Sequence, residues 1–166
     1  MKKLANLLTL AFGASLATAA MAGGPADKAT GSVEIGLESP GVYLVFNAHE
    51  AKDDRPAKGE VYTLMSTAES AGAYSQWRVN CVTVEAPAAG FVAELALTTD
   101  PNMQVGQKIW IKVTDLATPG SQGDLVAVQA VDEELAASLC AAPATLLGSP
   151  ELELPVLSGN LVVHAK

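Results

Sequence analysis

Apolar and polar residues alternate through eight short stretches of this chain, and that period of two is what most restricts its fold. A strand points successive side chains to opposite faces, so alternation marks backbone with one buried side. GSVEIGL (31–37) sets Val33, Ile35 and Leu37 on one face. GVYLVFNAH (41–49) sets Val42, Leu44, Phe46 and Ala48 against Tyr43, Val45, Asn47 and His49. GEVYTLM (59–65), YSQWRVNCVTVE (74–85) and GFVAELAL (90–97) follow, the last gathering Phe91, Ala93, Leu95 and Leu97. QKIWIKVTD (107–115) turns Ile109, Ile111 and Val113 inward and Trp110 and Lys112 outward. GDLVAVQAV (123–131) and NLVVHA (160–165) complete the series. Turn residues separate the stretches, which predicts an all-β, antiparallel β-sandwich of jelly-roll or immunoglobulin-like type with about eight strands.

One segment breaks the period. DEELAASLCA (132–141) has Asp132 at an N-cap position, acids in the first turn, and Leu135, Leu139 and Cys140 at helical spacing. It predicts a short helix laid against a sheet or across its end. The Pro-, Ala- and Leu-rich run from there to Leu157 reads as an extended connection to the last strand. The sequence argues against an outer-membrane barrel, because eight aromatic residues are few for two lipid-facing girdles and the helix interrupts the strands.

The first 22 residues read as a secretory signal peptide. Lys2 and Lys3 precede an apolar centre, Leu4 to Leu16, and Ala20-Met21-Ala22 forms an A-x-A cleavage site. That centre is shorter than the roughly 20 residues a membrane-spanning helix needs. Cleavage before Gly23 leaves a mobile lead-in (23–30), then one sandwich domain (31–166), in a periplasmic or extracellular protein. Taking Lys2 and Lys3 from the 10 basic residues leaves 8 against 18 acidic, a mature charge near −10. Such a balance argues against nucleic acid, whose phosphates require a basic face, and against anionic membrane surfaces. The mature chain carries two cysteines, Cys81 and Cys140, which an oxidising compartment would join as a disulfide.

The order GSVEI, VYLVFNAHE, KGEVYTLM, RVNCVTVEAPAAGFVAEL, VTDLATPGSQGD and SGNLVVHAK resembles a loose group of small exported bacterial proteins. F-N-A, C-V-x-V and V-x-D-x-x-x-P-G-x-x-x-D carry the resemblance over most of the mature chain. It implies an all-β sandwich of unknown function and supplies no catalytic residue.

Candidate chemistry is sparse. TDLATPGSQGD (114–124) offers Asp115 and Asp124, with the Thr118 and Ser121 hydroxyls and Gln122, as a candidate calcium site. A calcium loop's alternating acids are missing, so the two carboxylates read first as acceptors for loop N–H groups beside the Pro119-Gly120 turn. HEAKDDRPAKGE (49–60) mixes His49, Glu50, Asp53 and Asp54 with Lys52, Arg55 and Lys58, which compete for the same carboxylates, and reads as a solvated hairpin loop. His164 reads as a partly buried histidine. Trp77 aligns with Val79 and Cys81 and belongs to the core, beside the disulfide. Trp110 and Tyr43 are the candidate binding residues, flat rings on an outward face suited to a protein or glycan partner, although Trp110 reads first as covered by helix 132–141 or its trailing segment, or as core if the sheets are reversed. No G-x-S-x-G or H-E-x-x-H motif is present. The expectation is a non-catalytic binding or structural module with no cofactor. Its alternatives are a metal-dependent or hydrolytic enzyme using Asp115 and Asp124 with a histidine, and a component of a surface assembly.

Overall fold

Eight alternating strands require somewhere to bury eight apolar faces, and the chain meets that need by closing on itself. The computed structural model describes residues 27–36, 41–65, 72–116, 123–148 and 152–165. The signal-peptide segment, Leu37, and the Thr118–Gln122 part of the candidate calcium loop lie outside the described residues. The strands are β1 (Lys28–Ile35), β2 (Val42–His49), β3 (Lys58–Met65), β4 (Tyr74–Glu85), β5 (Ala88–Thr98), β6 (Lys108–Thr114), β7 (Leu125–Val131) and β8 (Leu154–His164). Each pairs antiparallel with the next, and β8 returns to pair with β1 from Lys28↔His164 to Ile35↔Val156.

The sheet is therefore a closed up-and-down barrel, and the expected sandwich is corrected. Two separate sheets would leave unpaired edge strands, whereas here β8 bonds to β1 and so joins the ends of the series. Alternation reads the same in both architectures, since each strand buries one face in either. The apolar side fills the interior with Leu44, Phe46, Val61, Trp77, Phe91, Leu95, Ile111 and Val113. The Phe46 and Phe91 ring centroids lie 5.6 Å apart within it. Gly31 leaves room for Phe46, whose Cε1 would sit 2.5 Å from a Cβ there. Outside, charges alternate across one in-register row, Glu60↔Arg78↔Glu94↔Lys108. Apolar inside and charged outside is the reverse of a lipid-facing barrel. Among the described residues no helix is long and apolar enough to cross a membrane.

Two bulges alter the expected facing. In β4, Val79 pairs with Ala93 and Cys81 with Val92, so Asn80 is the extra residue and Cys81 flips outward. In β5, Ala96 is extra between Leu95 and Leu97, and Leu97 ends 51% exposed instead of joining Phe91, Ala93 and Leu95. Strand β1 starts at Lys28, inside the stretch read as lead-in, and β8 starts at Leu154, inside the stretch read as connection.

The helix stands where the sequence set it. Helix α1 (Glu133–Ala141) is capped by Asp132, whose carboxylate accepts the Leu135 N–H at 2.7 Å. A 3-10 turn (Pro143–Leu147) continues it. Together they cover the outer face of β4, β5 and β6, burying Val92, Trp110, Ala136, Leu139 and Leu146 in a second cluster. Leu135, expected on the buried stripe, is exposed, and Ala136 takes its place. Cys81 and Cys140 form a disulfide, 5.5 Å between Cα atoms, that pins this cover to the bulge of β4. Trp77 lies in the interior, while the disulfide lies outside the wall. Gly90 permits close approach of the cover, because a Cβ there would stand 2.2 Å from the Leu146 carbonyl oxygen.

Candidate functional site

The barrel has two unlike ends. At the upper end β1 meets β2, β3 meets β4 and β5 meets β6; at the lower end lie the β2–β3, β4–β5 and β6–β7 connections. Among the described residues the interior is not filled at the upper end. Ladder pairing between β7 and β8 is limited to Leu125↔Pro155 and Val126↔Leu154, so β7 beyond Val126 has no strand on that side among the described residues. Val128 pairs with Ile111 and faces inward by register, yet it is 41% exposed.

A cavity of about 430 Å³ occupies this end. Strands β1 and β2 supply Ile35, Val42 and Leu44, and β3 supplies Thr63 and Met65. Trp77 and Ile109 form its inner wall, Met103 comes from the β5–β6 connection, and Val128 and Leu154 frame the seam. Among the described lining residues Thr63 carries the one hydroxyl, and its Oγ1 accepts the Trp77 indole N–H at 3.4 Å. The wall thus offers no charged group to a ligand among the described residues. Two thioethers make it adaptable, because methionine side chains flex and are polarisable. Met103 Sδ also takes the Ser75 hydroxyl at 3.6 Å. Sequence reasoning placed most of these residues in the core by alternation; it did not show that the core stops short of one end.

The residues singled out by sequence fall elsewhere. Trp110 points outward as its parity requires, but the cover reduces it to 8% exposure and the Leu146 carbonyl accepts its indole N–H at 3.0 Å. Its ring is part of a packed layer and is not presented to a partner. Tyr43 is 43% exposed and stands opposite Leu64 on the outer face of β2 and β3. Tyr62 and Tyr74 stack nearby with centroids 6.1 Å apart, so all three tyrosines share the outer face of β2–β4.

Asp115 and Asp124 hold the lower end together. Asp124 is 2% exposed and accepts the Leu116 N–H at 3.0 Å, and Asp115 accepts the Val163 N–H at 3.2 Å. They serve as acceptors for loop and strand N–H groups. Among the described residues no three His, Cys, Asp or Glu side chains converge as a metal site would require. His164 is exposed rather than partly buried, and Lys28 stands between it and His49 in the sheet. The comparisons with family models, with curated proteins and with solved structures return no match to this chain.

Proposed function

We propose that this is an exported, non-catalytic barrel that binds a small, largely uncharged apolar molecule in the cavity at its upper end. The observation that carries the reading is Val128, an inward-facing residue beside an unfilled, apolar space. Its volume lies in the range of about 300–1,000 Å³ typical of small-molecule sites, and eight-stranded barrels are wide enough to hold one small ligand. A charged group buried among Leu44, Trp77 and Ile109 would lack any partner, so the inserted part of the ligand is uncharged. The leader-like N-terminus and the Cys81–Cys140 disulfide both support export.

The test is binding of a neutral solvatochromic dye such as Nile red to the full chain. Val128→Trp, which places an indole at the cavity mouth, is expected to weaken binding at least about tenfold, given roughly 1.4 kcal/mol per decade. Val45→Ser, on the outer face, is expected to leave it unchanged. The reverse pattern would move binding to the tyrosine-bearing face. A second reading, a component of a surface assembly, is favoured by the unaccompanied edge of β7 past Val126, which could accept a strand from another chain. Light scattering that shows a monomer at all concentrations would count against it.

A further inference from the structure

The lower end of the barrel carries an arrangement that stability alone does not favour. Register places His164 opposite Lys28, Lys28 opposite His49, and His49 opposite Lys58. All four project outward, since Ala29, Ala48 and Val163 beside them turn toward the core. Lys28 and Lys58 flank His49 from the two neighbouring strands, and because like charges opposite one another destabilise a sheet, the row is repulsive whenever a histidine in it is protonated. A nearby row, Glu60↔Arg78↔Glu94↔Lys108, alternates sign across its strands. The basic row therefore stands out on a chain of formal charge −8, and it includes both of the protein's histidines.

Beside this row lies a recess of about 270 Å³, bounded by Lys28, His49, Glu50, Lys52, Arg55 and Lys58. The turn 52–55 closes on itself through paired Lys52 and Arg55 backbone bonds, with Asp53 at φ 54°, and so brings both cations to the rim. Neither Lys28 nor Lys58 has an ion pair with an acid among the described residues. Arg55 meets Asp53 only at 4.0 Å, with both side chains exposed. Glu50 is the single acid among the described lining residues; burial raises its pKa, a hydrogen bond with the Val84 backbone opposes that shift, and Asp27 adds to it. Partial burial and the fields of Lys28 and Lys58 lower the pKa of His49.

We propose that this recess is a binding site for a phosphate- or sulfate-type oxyanion, held by Lys28, His49 and Lys58 with Lys52 and Arg55 at its rim. Adjacent strands stand about 4.8 Å apart, so cross-strand neighbours can reach different oxygens of one tetrahedral anion. Charge-assisted hydrogen bonds to such oxygens offset the repulsion between Lys28, Lys58 and a protonated His49. The site is independent of the apolar cavity, which opens at the opposite end.

The experiment is titration of inorganic phosphate into the full chain at fixed ionic strength, followed by the His49 imidazole NMR signals across pH. Saturable binding and an upward shift of the His49 pKa are expected. Lys58→Gln should weaken binding about tenfold, as loss of one partly screened charged contact predicts, whereas Lys112→Gln, at a β6 lysine that pairs with Glu153, should not. Without phosphate, Lys58→Gln should raise the thermal midpoint. A sugar phosphate and phosphatidic acid vesicles identify the source: vesicle binding assigns a lipid head group, and binding of the soluble ester alone assigns a free one. The proposal is overturned if phosphate moves His49 no more than chloride does, or if Lys58→Gln binds as tightly as the parent chain.

Discussion

Single side chains show where this barrel departs from an optimum. The Thr83 hydroxyl is buried without a hydrogen-bond partner among the described residues, on the outward face of β4 toward the cover. Leaving a buried hydroxyl unmatched costs about 1–3 kcal/mol. Thr83→Val keeps the shape and removes that cost, so chemical denaturation should show a gain of about 1 kcal/mol. His49 gives a pH signature. Its folded-state pKa lies below the ordinary 6.5, so the unfolded chain takes up the proton first. Stability is therefore fully present above that value and falls as pH drops from 6.5 toward the depressed folded value. Lys28→Gln, which removes one of the two cationic fields lowering it, should make that fall shallower in urea melts across the window. The row that creates this effect was hidden in the sequence, because Lys28 and His164 are 136 positions apart and only the β1–β8 register brings them together.

At the scale of elements, local periodicity was a good guide and inserted residues were not. Ile109, Ile111 and Val113 face inward and Lys112 outward, as the alternation of β6 predicts. Asp132 caps α1 as its side chain suggests. A bulge adds one residue without any change in composition, so nothing in SQWRVNC announces that Asn80 turns Cys81 away from Trp77 and Val79. Proline concealed the start of β8, since Pro155 follows its first residue, at the short seam with β7. Trp110 shows the same legibility, because its outward parity and its cover by helix 132–141 or the segment after it could both be read from the sequence. The disulfide that secures this cover encloses a sequence separation of 59, for which chain entropy gives at most about 4 kcal/mol. In a Trp110-only background made by Trp77→Phe, reducing the bridge should shift tryptophan emission to longer wavelength as the cover loosens. An unchanged spectrum would mean that packing on Val92 and Leu146 holds the cover without it.

For the whole molecule, the decisive event is closure. Alternating strands rich in alanine and valine suit a sandwich and a barrel equally, and the difference rests on one long-range ladder, Lys28↔His164 to Ile35↔Val156. Among the described residues, closure covers the inward faces except at the upper end, where β7 continues past Leu154, the first residue of β8, and the interior opens. The apolar cavity is thus a consequence of how the last strand meets the barrel, which is why alternation could list its walls without revealing the space between them. The most direct measurement is a methyl-NMR experiment on the isotope-labelled chain with a neutral apolar ligand. The account predicts intermolecular contacts to the methyl groups of Ile35, Leu44, Ile109 and Val128, together with β1–β8 cross-strand contacts between Ala29 and Val163. Ligand contacts confined to Val45 and Leu64 on the outer face, or an absent β1–β8 ladder, would contradict it.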